Sequence, residues 1–486
     1  MSWPLALHLG DSAPVSVFTG GHLAALSVAT HVPPWSVHTD LSGWPSGADF
    51  RPLLWPSIAL AHLVGPLAAY DLTVLLVPVL NVLGGWALGR VIYGRGAAAV
   101  WLGALLALPP WVRTTLQNGQ PEQAVLGVAA ALLALALWAE GGPRWRAALL
   151  LPAFTLAGIS APHVTLAALA IVGVWAVASR TAWSKRIPVA ASALLGGWLV
   201  SQYHGPGFDT SIAHFFAPFG LLDAHNGPQP KRAALLSDLF FRARTPPGKP
   251  PWVVHLAYLG PVLGLAALVN ARRRPWAFAA GFVLLVLAFG DAGPFHLLTL
   301  LSPTLAASGT PYRFMLGVIV AFAAVVADSR WAPLVLAVSI AETLLVDPRP
   351  LPFALNPVSL DASSPALAAE GTGPVLDVPL VGRGCREAAA HYLTEAGRSG
   401  RPSPLLLRSS EDAWGDRQDH ARALQEAFDA PNCAEVLPPL LTEYTAVVLH
   451  RHAGCPVREK TEACLSRVLG GPTVSGEVEW WTTEGE

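Results

Sequence analysis

The chain has 486 residues, 53% of them hydrophobic and only 13% charged, with a formal net charge of −1 and a mean hydropathy of +0.46. That balance excludes an ordinary water-soluble protein, in which about a quarter of residues are charged. With 31 Lys and Arg against 32 Asp and Glu, nothing in the charge suits a nucleic-acid partner.

Residues 1–51 are polar and irregular. Their apolar start, SWPLALHL, lacks the basic flank and long apolar run of a signal peptide. Pro52–Ala69 is apolar but contains Pro56, His62 and Pro66. From Leu72 to Val346, apolar runs are broken only by short polar or basic connectors, and membrane spans need about 17–25 such residues each. The clearest connector is Asn270–Pro275, NARRRP. Cytoplasmic turns carry the excess of basic residues, which puts this one inside.

The runs then alternate. Asp71–Gly89 leads inward to the basic turn Arg90–Arg95, and Gly96–Trp111 leads out to a loop at Arg113–Pro121. Glu122–Glu140 returns to Arg144 and Arg146, Ala147–Ser160 goes out, and Ala161–Ser179 returns to Arg180, Lys185 and Arg186. Ile187–Tyr203 opens into the long loop His204–Pro251, and Trp252–Asn270 leads in to the arginine turn. Pro275–Gly290, Pro311–Asp328 and Trp331–Val346 complete about ten spans. Tryptophans 111, 138, 183 and 331 fall near run ends, as in an interfacial belt. On this alternation Pro52–Ala69 begins and ends outside, so it is expected to lie along the outer interface or to be re-entrant. The competing reading has it span, with a cytoplasmic N-terminus.

Residues 347–486 read as a separate soluble unit. Pro374–Leu380 and Thr445–His450 have the composition of buried strands, and Val478–Thr482 that of a last strand. Arg386–Ala396, Asp416–Ala430 and Arg458–Leu469 have helical spacing. The expected architecture is an all-α polytopic membrane domain over residues 52–346, preceded by an outer loop of residues 1–51 and followed by a small extracytoplasmic α/β domain. All four cysteines, Cys385, Cys433, Cys455 and Cys464, lie in that last unit, which suggests an oxidising compartment and two disulfides. The pairing favoured from sequence is Cys385–Cys433 with Cys455–Cys464.

Several stretches together resemble bacterial GT-C-type membrane glycosyltransferases. SWPLALHLG is similar to the end of their first span. FRPLLWPSIALAHLVGPLAAYDL and LGRVIYGRGAAAVWLGALLALPP are similar to their outer interfacial helix and the two spans that follow. SGTPYRFMLGVIVAFAA resembles a late span start that keeps an arginine, here Arg313. GPVLDVPL and EYTAVVLHRHA resemble strands of a C-terminal extracytoplasmic domain in one branch. The resemblance implies sugar transfer from a polyprenyl-phosphate donor at the outer face of a bacterial plasma membrane, with the bilayer and the lipid-linked sugar as partners. It implies no cofactor, and a divalent cation is left open. The alternatives are a non-catalytic protein that binds or scaffolds lipid-linked glycans, and a transporter.

Sugar transfer needs a carboxylate to take the acceptor's proton and cations to balance the departing phosphate. The family places its acid in the first outer loop. Phe18–Gly20 stands at the usual position here, with Asp11 displaced from it and the family's first span not preceding Met1, so Asp40 and Asp49 are the catalytic candidates. The competing reading makes them turn carboxylates. Arg51, Arg113 and Arg313 are candidates for the phosphate, against snorkelling or structural pairing. Gln117, Gln120 and Glu122, in LQNGQPEQ, suit sugar hydroxyls, against a plain helix start. No residue spacing reads as a zinc site or nucleotide cradle.

Overall fold

The longest apolar run folds as the longest helix. The computed structural model describes residues 55–94, 96–117, 121–160, 162–179, 181–202, 259–289 and 314–346 of the apolar part. It describes 373–380, 416–451, 457–475 and 478–483 of the tail, with short pieces at 6–7, 9, 12–14, 355–357 and 392. Helix α1 spans Trp55–Val64 and α2 spans Pro66–Tyr93. Gly65 between them has φ +86°, in the left-handed region that favours glycine, and Pro66 starts α2 where no donor is needed. The chain doubles back there, and the Ser57 and Thr73 hydroxyls meet at 2.5 Å. This corrects the single segment Pro52–Ala69, whose last residues 66–69 belong to α2. The 10 residues of α1 rise about 15 Å, half of the roughly 30 Å of bilayer hydrocarbon.

Both sides of α2 are apolar. Val74, Val77, Gly84 and Leu88 face the bundle, while Leu76, Leu80, Leu83 and Trp86 are exposed. No water-facing stripe remains, so such an exterior suits hydrocarbon. By length and hydropathy α2 alone, among the described helices, meets the criterion for a full crossing, and much of the rest is apolar helix of 10–17 residues.

Helix α3 is Ala97–Ala107, α4 Pro110–Gln117, α5 Pro121–Ala124 and α6 Leu126–Glu140. The expected outer loop at Arg113–Pro121 is thus helical over its first half, because Pro110 starts a new helix directly after α3. The bundle continues with α7 Trp145–Ala148, α8 Leu150–Ser160, α9 Pro162–Ala178 and α10 Trp183–Gln202. It closes with α11 Pro261–Asn270, α12 Pro275–Ala288, α13 Met315–Val326 and α14 Ala332–Val346. Helix α13 is buried along its whole length and is the centre of the bundle. Small residues set the closest approaches: a Cβ at Gly84 would lie 2.0 Å from the Gly127 carbonyl oxygen.

The basic turns meet as the alternation requires. Arg273 Nη1 donates to the Asp328 carbonyl at 2.8 Å, Tyr93 donates its hydroxyl to the Ala324 carbonyl, and Arg274 stacks over the Tyr93 ring at 5.0 Å. The ends of α2, α11 and α13 therefore share one end of the bundle. Strand β1 (Ser12–Pro14) pairs antiparallel with β2 (Leu355–Pro357), which joins the N-terminal segment to the chain just beyond α14.

The tail holds a four-stranded sheet in the order β3-β4-β6-β5. These are β3 Val375–Val378, β4 Ala446–His450, β5 Thr473–Ser475 and β6 Val478–Thr482, with β3 and β4 parallel and the other pairs antiparallel. Helices α15 (Asp416–Asp429), α16 (Cys433–Val436), α17 (Pro438–Leu441) and α18 (Glu459–Leu469) accompany it. Alternation along the strands splits two cores. Leu376, Val378, Val447, Leu449 and Trp481 pack with Leu424, Phe428 and Leu465 of the helices. Val375, Ala446, Val448, Val478 and Trp480 form the opposite face.

Cys433 pairs with Cys464, at a Cα separation of 6.0 Å. This overturns both favoured bridges. The physical reason is packing: α16 lies against α18, and both cysteines point into the core between them. Cys385 and Cys455 lie outside the described residues.

Candidate functional site

Near the middle of the bundle two helical paths are interrupted beside the continuous helix α2. Pro78 sits inside α2, Leu108 and Pro109 separate α3 from α4, and Val125 separates α5 from α6. Asn81 stands 15 residues after Pro66, about 22 Å along α2, and closes the break at Val125. Its amide donates to the Ala124 carbonyl at 2.9 Å and accepts from the Gly127 N–H at 2.8 Å. An interrupted helix leaves backbone groups that water cannot satisfy inside an apolar bundle, so a side chain must do so.

Beyond the breaks lie the charges. Asp71, in the second turn of α2, is 0% exposed, and Arg113, midway along α4, is 1% exposed. Trp111, Thr115 and Leu116 of α4 and Tyr70 of α2 are equally buried. Helix α5 packs on both α2 and α4, and α4 packs on α14. A charge inside an apolar bundle is costly, by several kcal/mol in insertion terms on the order of +2.5–3.5 kcal/mol, and persists where it is paired or used. Arg113 is enclosed by protein.

The other sequence candidates fall as follows. Gln117 lies on α4 one turn after Arg113, and Glu122 lies on the adjacent α5. Arg313 directly precedes Phe314, which is buried at the start of α13, but lies outside the described residues, as do Asp40, Asp49, Arg51 and Gln120. Arg113 and Gln117 thus belong to one helix and Glu122 to the adjacent one. Sequence reasoning missed Asp71 and Asn81 as site-builders, although both carry a signal. They are the one carboxylate and the one amide in the run PLAAYDLTVLLVPVLNVL. Among the described residues no group of three or more His, Cys, Asp or Glu is placed to hold a metal ion.

A second buried polar pair lies in the tail. His450 Nε2 and Asp377 Oδ1 are 2.8 Å apart, at the carboxyl ends of the parallel strands β4 and β3. The Tyr392 ring lies 4.5 Å from the imidazole and its hydroxyl donates to the Pro379 carbonyl at 2.9 Å. Burial, then the Asp377 charge, pushes the Tyr392 phenol far up, so it stays neutral. At the surface Arg451 bridges Glu462 at 2.7 Å and also bonds Glu479, which ties α18 to β6.

These features define a helical bundle with an apolar exterior, buried charges at one end and an α/β tail. No family model matches the chain, and no curated sequence relative does. Among solved structures the chain is similar to the cryo-EM structure of the arabinofuranosyltransferase AftD from Mycobacteria, at TM-score 0.48 and 15% identity over 97% of this chain. It spans about 40% of the length of that protein. It is also similar to the crystal structure of ArnT from Cupriavidus metallidurans in the apo state, at TM-score 0.41 and 14% identity, over 99% of this chain and 95% of that one.

Proposed function

We infer that the chain is a multi-pass membrane glycosyltransferase of the GT-C type, moving a sugar from a polyprenyl-phosphate donor to an extracytoplasmic acceptor. The observation that carries this reading is the burial of Asp71 and Arg113 in apolar helices at the end of the bundle opposite the arginine turns. The sequence resemblance stated above supplies the reaction class. The Cys433–Cys464 bridge favours an oxidising side for the tail, in the envelope of a bacterium.

In this reading the acceptor hydroxyl yields its proton to Asp40 or Asp49 as its oxygen bonds to the anomeric carbon. The bond from that carbon to the phosphate oxygen breaks, and polyprenyl phosphate leaves with the electron pair. Arg113, with Arg51 and Arg313, balances the phosphate charge as it grows. Gln117, Gln120 and Glu122 pair with sugar hydroxyls.

The test is transfer from labelled polyprenyl-phosphate sugars by membranes holding the full chain. Asp40→Asn or Asp49→Asn is expected to abolish transfer. Arg113→Gln is expected to slow it by about 10²–10³, the usual cost of one charge-stabilising donor, while Arg113→Lys keeps more. Wild-type rates in all of these variants would overturn the assignment. A wild type that binds the lipid-linked sugar and never transfers it would favour the scaffold.

A further inference from the structure

We propose that the end of the bundle carrying the arginine turns holds a site for the phosphate headgroup of an anionic phospholipid. The site lies where the ends of α2 and α13 meet the starts of α12 and α14. It depends on the membrane reading of the fold and not on glycosyl transfer.

Five guanidiniums at this end stack on aromatic rings: Arg90 on Trp86 at 5.3 Å, Arg146 on Trp138 at 4.1 Å, Arg186 on Trp183 at 4.2 Å, Arg274 on Tyr93 at 5.0 Å and Arg330 on Trp331 at 5.0 Å. Stacking holds a cation at a fixed height; Arg186 is buried and donates to the Ala176 carbonyl, whereas Arg90 and Arg330 are exposed. Three of the five belong to one cluster. Arg273 and Arg274 are occupied: Arg273 donates to the Asp328 carbonyl at 2.8 Å, and Arg274 reaches the Ile92 carbonyl at 3.4 Å. These two bonds fasten the turns together. Arg90, Arg272 and Arg330 are exposed around them, and Asp328 is the carboxylate exposed beside them.

The surroundings favour a lipid over free phosphate. Trp86 and Trp331 are 43% and 48% exposed beside the cations, and Leu83 is exposed one turn before Trp86. A headgroup on the arginines would place its acyl chains along that apolar flank, whereas free phosphate would leave it bare. Arginine forks match phosphate oxygens in pairs, and each basic group near an anionic surface strengthens attraction about fivefold.

The test uses the full chain purified in detergent and passed into nanodiscs of phosphatidylcholine alone or with phosphatidylglycerol. Native mass spectrometry counts retained lipids, and inorganic phosphate is added as competitor. Wild type is expected to retain phosphatidylglycerol over phosphatidylcholine by about tenfold or more, even in millimolar phosphate. The triple variant Arg90→Gln/Arg272→Gln/Arg330→Gln is expected to lose that preference. The triple variant Arg144→Gln/Lys185→Gln/Arg467→Gln, which leaves the cluster intact, is expected to keep it. Equal thermal stability of the two variants in phosphatidylcholine shows that folding is not the cause. Retention of both lipids alike, an unaffected cluster variant, or full displacement by inorganic phosphate would each overturn the proposal.

Discussion

Replacing Asn81 by leucine keeps the volume and removes both hydrogen bonds that close the break at Val125. The Ala124 carbonyl and the Gly127 N–H are then left without the amide in a buried site. Val128 donates to Val125 at 3.2 Å, so the local turn does not relieve Ala124. Orphaned buried groups cost about 1–3 kcal/mol each, which sets a range of about 2–6 kcal/mol for the pair. Hydrogen bonds between side chains in membrane bundles average only about 0.6 kcal/mol, because unfolded helices find other partners. Here the partners are backbone groups freed by a break, which recover only if the helix closes. The expected loss is therefore about 2–4 kcal/mol. Unfolding of the purified chain in detergent, followed by tryptophan fluorescence, measures it. Leu80→Ala, on the exposed neighbouring position, should change little, since leucine in lipid gains nothing by contact with the bundle. An Asn81→Leu variant within about 0.5 kcal/mol of wild type would refute the reasoning.

Other outcomes follow from the same contacts. Gly127→Ala places a Cβ 2.1 Å from the Leu80 carbonyl oxygen and should destabilise by about 1–3 kcal/mol or more, whereas Gly173→Ala meets nothing within 4 Å and should be neutral or stabilising by up to about 1 kcal/mol; thermal melts compare them. Peptide mapping without reduction should recover Cys433 joined to Cys464, and the remaining cysteines leave Cys385 with Cys455. Cys464→Ser opens a loop closed across 31 residues and should cost about 3–4 kcal/mol in the chain-entropy model. A cysteine at Arg272 should resist an impermeant thiol reagent in intact cells; its labelling would reverse the orientation of every span.

Periodicity and charge carried most of the architecture. A run such as GAAAVWLGALL has nowhere to go but an apolar helix, and arginines that end such runs do meet at one end in the structure. Strands survived the same reading: TAVVLH is buried on both faces, so it shows as a continuous apolar run and not as an alternation. The interruptions were harder. Gly65 and Pro109 are single residues whose effect depends on whether the chain turns back or merely bends. The composition on both sides of Gly65 is equally apolar. The left-handed Gly65 and the Ser57–Thr73 contact distinguish a hairpin of helices from one continuous segment.

The site and the bridge were illegible for a different reason, since both depend on pairs distant in sequence. Asn81 acts on residues 43 and 46 positions away, across three and four breaks in helix. No local window joins them. The cysteines make the point most sharply. Cys455 was favoured for Cys464 because it precedes the helix that holds Cys464, so that a turn after it could fold it back. Yet Cys464 lies midway along α18, on the face that carries Leu465 into the core, and α16 brings Cys433 to that face. A helix in register fixes the direction of every side chain, so Cys464, buried beside Leu465, meets the cysteine that packs on that face. The same logic assigns weight to Asp71. On the face of α2 that holds Tyr70 and Val74 in the bundle, a carboxylate is turned inward by its neighbours, and what it meets there is a matter for chemistry and not for solvent.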